Sequence, residues 1–355
     1  MGTLVGIAVC IGNKRAVATA PSEVEPTGIM TFADPAVQAL CAKTWGDGTN
    51  ITYEQAREVT EIPKNWAKGN TTITSFNEIK YFKNCRTIGG SAFNGCSSMA
   101  LTSLELPQCT SIGNYAFYGC SSMALTSLEL PQCTSIGGHA FQDCSSMALT
   151  SLELPQCTSI GETAFERCSS MALTSLELPQ CTSIGGSAFE RCSSMALNSL
   201  ELPQCTSIGG SAFNGCPLLS EITFQNVTTV GTQAFRGSTI AKIKLPSVET
   251  MAASSNYEGI FSYCTNLVLV DLGENCSSIG NESLGRYVGT SGNNITIICR
   301  ASTPPSLGGA IINKSWVCAT IGEIYVPDES VEAYKTATNW SAYANIILPL
   351  SQYKG

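Results

Sequence analysis

At 355 residues, with 18 cysteines and one histidine, the chain is long enough for two or three ordinary domains or for one extended repeat array. Charged residues make up only 13% against 43% apolar, and a net charge of −8 without any Lys/Arg cluster excludes the concentrated basic surface that nucleic acid requires. No stretch approaches the roughly 18 apolar residues that a membrane-spanning helix needs.

In chain order, residues 1–29 come first. Lys14 and Arg15 follow the apolar run, whereas a secretory signal carries its basic residues ahead of it. Leu4 to Ile11, the turn residues Gly12 and Asn13, and Arg15 to Ala20 therefore predict a retained β-hairpin rather than a signal remnant. Residues 30–72 predict a small helical cap. Asp34 before Pro35 is a helix start, and Val37, Leu40, Cys41 and Trp45 form one apolar stripe. Thr52 and Gln55 have capping-box spacing for a second helix that buries Ala56 and Val59.

Residues 73–300 are dominated by a repeat. Phe93, Phe117, Phe141, Phe165, Phe189 and Phe213 recur in nearly identical text, with looser copies at Phe235, Phe261 and Leu284 and a partial one over 73–88. Each copy reads L-x-x-L-x-L-x-x-C-x-x-I, as in Leu101, Leu104, Leu106, Cys109 and Ile112. Leu104 and Leu106 alternate around Glu105 as a half-buried strand does, and Pro107 ends it. Ile112 and Phe117 return to the core from a short turn. One unit cannot bury its own apolar side, so about ten stacked rungs share a core, in an array roughly 45–50 Å long. Residues 301–355 predict a closing cap: Asp328 starts a helix carrying Val331, Tyr334 and Ala337, and Trp340 and Tyr343 cover the core end.

The cysteines follow the period. Cys109 to Cys205 form one column and Cys96 to Cys216 another. Neighbours in a column project in parallel, which is poor disulfide geometry, and no C-x-x-C motif is present. They predict buried free thiols and no metal.

The unit LTSLELPQCTSIGGSAFERC resembles the BspA-type leucine-rich repeat of Bacteroidetes surface proteins. FADPAVQALCAKTW with ITSFNEIKYF, and TPPSLG with IYVPDESVEAYKTATNWSAYANII, resemble the two ends of such proteins. The resemblance spans about residues 30 to 350. It implies an α+β leucine-rich-repeat solenoid: a right-handed coil with one parallel β-sheet, a small N-terminal helical cap and a C-terminal strand–helix cap. Related caps often carry a calcium loop. Here WGDGTNITYEQA offers only Asp47 before the helix and Gln55 at the closing position, so Asp47 and Gly48 are expected to shape a turn.

Two surfaces are candidates for binding. On the strand side, Glu105, Glu129, Glu153, Glu177 and Glu201 stack beside columns running from Thr102 to Asn198 and from Ser103 to Ser199. Like charges so placed repel. They are either a receiver for cations, a basic ligand or a glycan, or a solvated face. On the turn side the copies differ almost only at two dipeptides. These supply Asn114, Tyr115, His139, Glu162 and Thr163 at the first, and Tyr118, Gln142, Asp143, Glu166, Arg167, Glu190 and Arg191 at the second. They flank the buried Ala-Phe and are expected to be exposed, as a recognition stripe or as drift that packing permits. His139 takes a position that holds Ser, Thr or Tyr in other copies, and Cys144 lies in a core column, so no Cys/His dyad is expected.

No P-loop or nucleophile elbow is present. The resemblance implies a non-enzymatic, cofactor-free binding or adhesion protein for host-cell, matrix-protein or glycan ligands. Its carrier is either a bacterial cell surface or a phage tail or fibre, and the order of charges at the N-terminus leans to the virion, with residues 1–29 docking onto partner subunits. The rival is a structural spacer without a ligand.

Overall fold

The computed structural model describes residues 25–355 apart from 219, 254–257, 290–293 and 313–319. The expected hairpin of residues 1–20 lies outside the described residues. Within one rung, Leu101, Leu104, Leu106, Cys109 and Ile112 are all buried, while Ser103 and Glu105 on the other side of Leu104 are half-exposed. The strand is Ser103–Glu105, and after the Pro107–Gln108 turn the chain forms a second strand, Ser111–Ile112.

Each rung thus contributes two strands, and the solenoid carries two parallel ladders where the repeat text predicts one sheet. The Ser–Ile strands stack without interruption into eleven, from Glu61–Ile62 to Ser306–Leu307. At about 4.8 Å per step this ladder is near 48 Å long. It begins ahead of residue 73 and ends beyond residue 300. The Leu–Glu ladder is divided into three pieces: Ser103–Glu105 with Ser127–Glu129; Ser151–Glu153 to Ser199–Glu201; and six strands from Glu221–Thr223 to Ile347–Pro349.

The turn side is tied as firmly. Ser91, Phe93 and Gly95 donate their N–H groups to the carbonyls of Asn114, Ala116 and Tyr118 at 2.8, 2.7 and 2.8 Å, and the next rung repeats the pattern. Rungs approach so closely here that a Cβ on Gly137 would lie 2.6 Å from the Asn114 nitrogen, which is why this place in the repeat is glycine.

The core is one continuous cluster. Its centre is a file of phenylalanines stacked within 4–8° of parallel, with centroids 5.0 Å apart at Phe93–Phe117 and 5.4 Å at Phe189–Phe213. The spacing widens to 6.1 Å at Phe213–Phe235, where the period is broken. Each fully buried ring contributes about 1.5–3 kcal/mol of transfer free energy.

The sixteen described cysteines are free and buried. Their thiols do more than fill space. Cys120, Cys144, Cys168 and Cys192 each donate S–H to the carbonyl of a phenylalanine in the preceding rung at 3.1–3.2 Å, while Cys133, Cys157 and Cys181 donate to a serine carbonyl two residues on, at 3.2–3.3 Å. Burial pushes the Cys109 and Cys157 thiols up to about 12, which keeps the donating proton in place.

Both ends are capped. Helix α1, Pro35–Trp45, starts at Asp34, whose Oδ1 accepts from the Ala36 and Val37 N–H groups. Its Oδ2 accepts from the Thr74 N–H and hydroxyl at 2.6 and 2.9 Å, locking the helix to the first rung. Helix α2, Tyr53–Glu58, has the reciprocal Thr52–Gln55 capping box. Asp47 accepts from the Thr49 and Asn50 N–H groups, and Gly48 has φ 94°, the expected turn. At the other end α3 spans Val331–Thr336, but Asp328 does not cap it. A 3-10 turn intervenes, and Asp328 accepts instead from the Ser351 N–H at 2.9 Å, fastening the last turn. Trp340 and Tyr343 close the core, their polar atoms bonded to the Pro305 carbonyl and the Ile311 N–H.

Candidate functional site

The strand side presents the expected carboxylates in two separate runs. Glu105 pairs with Glu129 in register, and Glu153 with Glu177 and then Glu201. Between Glu129 and Glu153 the strand ladder opens, leaving a cavity of about 410 Å³ lined by both carboxylates, Thr126, Ser127, Ser151 and the flanking leucines and prolines. Among the described residues no three His, Cys, Asp or Glu side chains converge as a metal site would need. Beyond Glu201 the uniform acid column gives way to paired opposite charges. Lys244 faces Thr223 and Asp271 in register, Lys242 pairs with Glu221 at 2.6 Å, and Arg300 holds Asp271 through two bonds of 2.9 and 2.8 Å.

The turn side depends on unusual backbone geometry. Ser91, Tyr115, His139, Thr163, Ser187 and Ser211, one per rung, all have φ between 53 and 59°. This left-handed region is uncommon for non-glycine residues and rarer still for a β-branched one such as Thr163. The hydrogen bonds from the next rung hold the turn there, and the Thr163 hydroxyl donates to the Glu162 carbonyl at 2.8 Å.

The consequence for the variable residues differs from the expectation of uniform exposure. Asn114, Tyr115, Glu162, Arg167 and Arg191 are exposed, and Tyr118, His139, Asp143 and Glu190 are half-buried. Gln142 and Glu166 are only 9% exposed, a correction to their surface placement. Both follow a core phenylalanine, and the two meet across the interface between their rungs.

These side chains form one axial network. The Tyr115 ring stacks on His139 at 4.3 Å and 7°, with Tyr118 edge-on at 5.8 Å. His139 Nδ1 contacts the Thr163 hydroxyl at 2.5 Å and Gln142 Oε1 at 2.7 Å. Gln142 Nε2 donates to Glu166 at 2.7 Å, and Arg167 braces Glu166 and Asp143 at 3.5 and 3.6 Å. Burial raises the Glu166 pKa, a shift that Arg167 opposes and Glu190 reinforces. Asn214 bridges Glu190 and Arg236.

The network continues into residues that the sequence reading passed over. Glu258 is gripped by Arg236 and Arg286, Arg236 lies over the Tyr263 ring at 4.6 Å, and Tyr263 stacks on Tyr287 at 5.0 Å. Burial works against ionisation of Glu258, and the two guanidiniums outweigh it and lower its pKa. The recurrence of Arg and Tyr after the core residue in the looser copies was the available signal.

The chain is similar to several solved proteins. A leucine-rich repeat protein from Bacteroides ovatus shares 19% identity over 82% of this chain and 87% of its own, with a TM-score of 0.42. A leucine rich cell surface protein from Faecalibacterium prausnitzii shares 20% over 74% and 82%, with a TM-score of 0.35. The T. pallidum leucine rich repeat protein shares 24% over 55% and 66%, with a TM-score of 0.30. No curated protein matches in sequence. The decisive match is to the repeat model itself: the BspA type leucine rich repeat region, in six copies, fits residues 60–196 and 193–299. The two-stranded rungs, the phenylalanine file and this match over most of the chain together make it a member of the BspA-type leucine-rich-repeat family.

Proposed function

We propose that the chain is a non-catalytic recognition protein that works outside the cell and binds a protein or glycan on a cell surface through the turn side of its solenoid. One observation carries the reading. The copies are nearly identical in everything the core and ladders need, and they differ where side chains meet on the turn face. There a hydrogen-bonded network fixes the varied residues in one geometry, and such preorganisation cuts the ordering cost of binding. Against chemistry stand the placements of His139, committed to Thr163 and Gln142, and of Cys144, whose buried thiol donates to the Phe117 carbonyl.

Labelled chain incubated with intact epithelial cells, purified extracellular-matrix proteins and intact bacterial cells tests the reading. Saturable binding to epithelial cells or matrix fits carriage by a bacterial surface, and saturable binding to bacterial cells fits a phage tail or fibre. No saturable binding to any of the three up to about 100 μM, weaker than ordinary specific association, would overturn it.

A further inference from the structure

Tyr115 and Ile29 are the exposed large apolar side chains among the described residues, and Tyr115 alone of the two stands in the solenoid, at 39% exposure. One face of its ring is covered by His139 in the following rung. The other face looks toward the preceding rung, whose Ser91 N–H bonds to the Asn114 carbonyl and whose side chain at the equivalent place is a single hydroxymethyl. No aromatic ring of the described residues covers that face. The stack therefore ends in a step about one rung, or 4.8 Å, high, with a bare aromatic wall above a floor of Gly90 and Ser91.

The wall is rigid. His139 is pinned through Nδ1, Gln142 is pinned by Glu166, and Tyr118 buttresses Tyr115 edge-on. The side chains of the rung beneath the open side are uncharged and polar, Ser91 and Asn94, whereas Asn114 reaches the other way, its Oδ1 accepting from the Gly138 N–H at 2.9 Å in the His139 rung. The charged members of the network, Glu166, Arg167 and Asp143, lie on the His139 side, away from the step.

We propose that the bare face of Tyr115 is a stacking platform for a neutral pyranose ring, with Ser91 and Asn94 binding its hydroxyls. A sugar ring offers an apolar C–H face to an aromatic wall and equatorial hydroxyls to amides and hydroxyls. An arginine or lysine of a protein ligand would also stack on tyrosine, but at this step it would lack a carboxylate partner. The proposal rests on the turn-side recognition reading and narrows its ligand.

The probes are neutral methyl glycosides of glucose, galactose and mannose, N-acetylglucosamine, and their disaccharides, observed by saturation-transfer NMR with the full chain. Transfer should concentrate on the C–H protons of one ring face. Tyr115→Phe keeps the wall and should bind within about threefold of the parent, whereas Tyr115→Ala should lose about tenfold or more, as anchoring aromatics do. Ser91→Tyr fills the step with a residue that the same left-handed position already accepts one rung on, and should abolish binding while the circular dichroism stays unchanged. Absence of transfer from every sugar at millimolar concentration, or parental binding by Tyr115→Ala, overturns the proposal. If cells still bind the chain but no sugar does, the pyranose is wrong and turn-side recognition survives. If neither cells nor sugars bind, both fall.

Discussion

Asp34 accepts four hydrogen bonds while only 3% exposed, and it joins helix α1 to the first rung through Thr74. Burial alone would raise its pKa. The N–H and hydroxyl of Thr74 and the N–H groups of Ala36 and Val37 outweigh burial and bring it below 3.8. A folded-state pKa below the unfolded one means that this stabilisation is fully present above about pH 4 and is lost as pH falls through the folded value. Asp34→Ala removes both the helix cap and the Thr74 link, and should cost about 1–3 kcal/mol in urea unfolding at pH 7. The gap between the two proteins should close as the buffer is taken below pH 4. A gap unchanged by acid would show that the carboxylate charge is not what holds the cap.

The turn that carries Tyr115 and His139 is an element whose shape is set by its neighbours. Each left-handed residue donates its N–H to the rung that follows, and the glycine before it lets two backbones nearly touch. Gly137→Ala would place a methyl 2.6 Å from the Asn114 nitrogen and Oδ1, so a backbone must move, at a cost of about 1–3 kcal/mol. Differential scanning calorimetry should show that loss. The equivalent change at Gly119, where an added Cβ meets nothing within 4 Å, should show only the milder strain of its φ of 68°.

What was legible in the text of these elements follows from distance along the chain. The Leu–Glu strand, the phenylalanine file and the capping box of Thr52 and Gln55 are written within one period or one turn, and they were read correctly. The Ser111–Ile112 strand is too short for alternation to register, so the second ladder was missed. The burial of Gln142 and Glu166 is decided by side chains 24 residues away, which no local pattern encodes. Asp328 carried a good capping residue's chemistry, but it opens a 3-10 turn that moves the helix start to Val331, out of its reach.

For the whole molecule, rungs that contact only their neighbours make stability nearly a sum over repeats and interfaces. Removing residues 150–173, one full period, joins Leu149 to Thr174 in identical text. It also brings Ser187 and Glu190 to where Thr163 and Glu166 meet His139 and Gln142, so the network closes again. The shortened chain should fold with an unchanged circular dichroism spectrum per residue. Its maximum dimension by small-angle scattering should fall by about 4.8 Å. If the proposed turn-side recognition holds, binding to cells should persist, because the Tyr115 step is upstream of the cut. An unfolded product would show that the array is cooperative over its full length.

The thiol columns give the solenoid a record of its own openings. Every described cysteine is sealed inside the stack, and thirteen of the sixteen donate S–H to a backbone carbonyl, so a maleimide added to the native protein reports only rungs that have parted. Because the columns run from Cys85 to Cys299, the order in which peptides acquire the label would trace where fraying starts and how far it travels. In any oxidising surroundings the same burial sets a deadline: the rungs must close before the first thiol is oxidised.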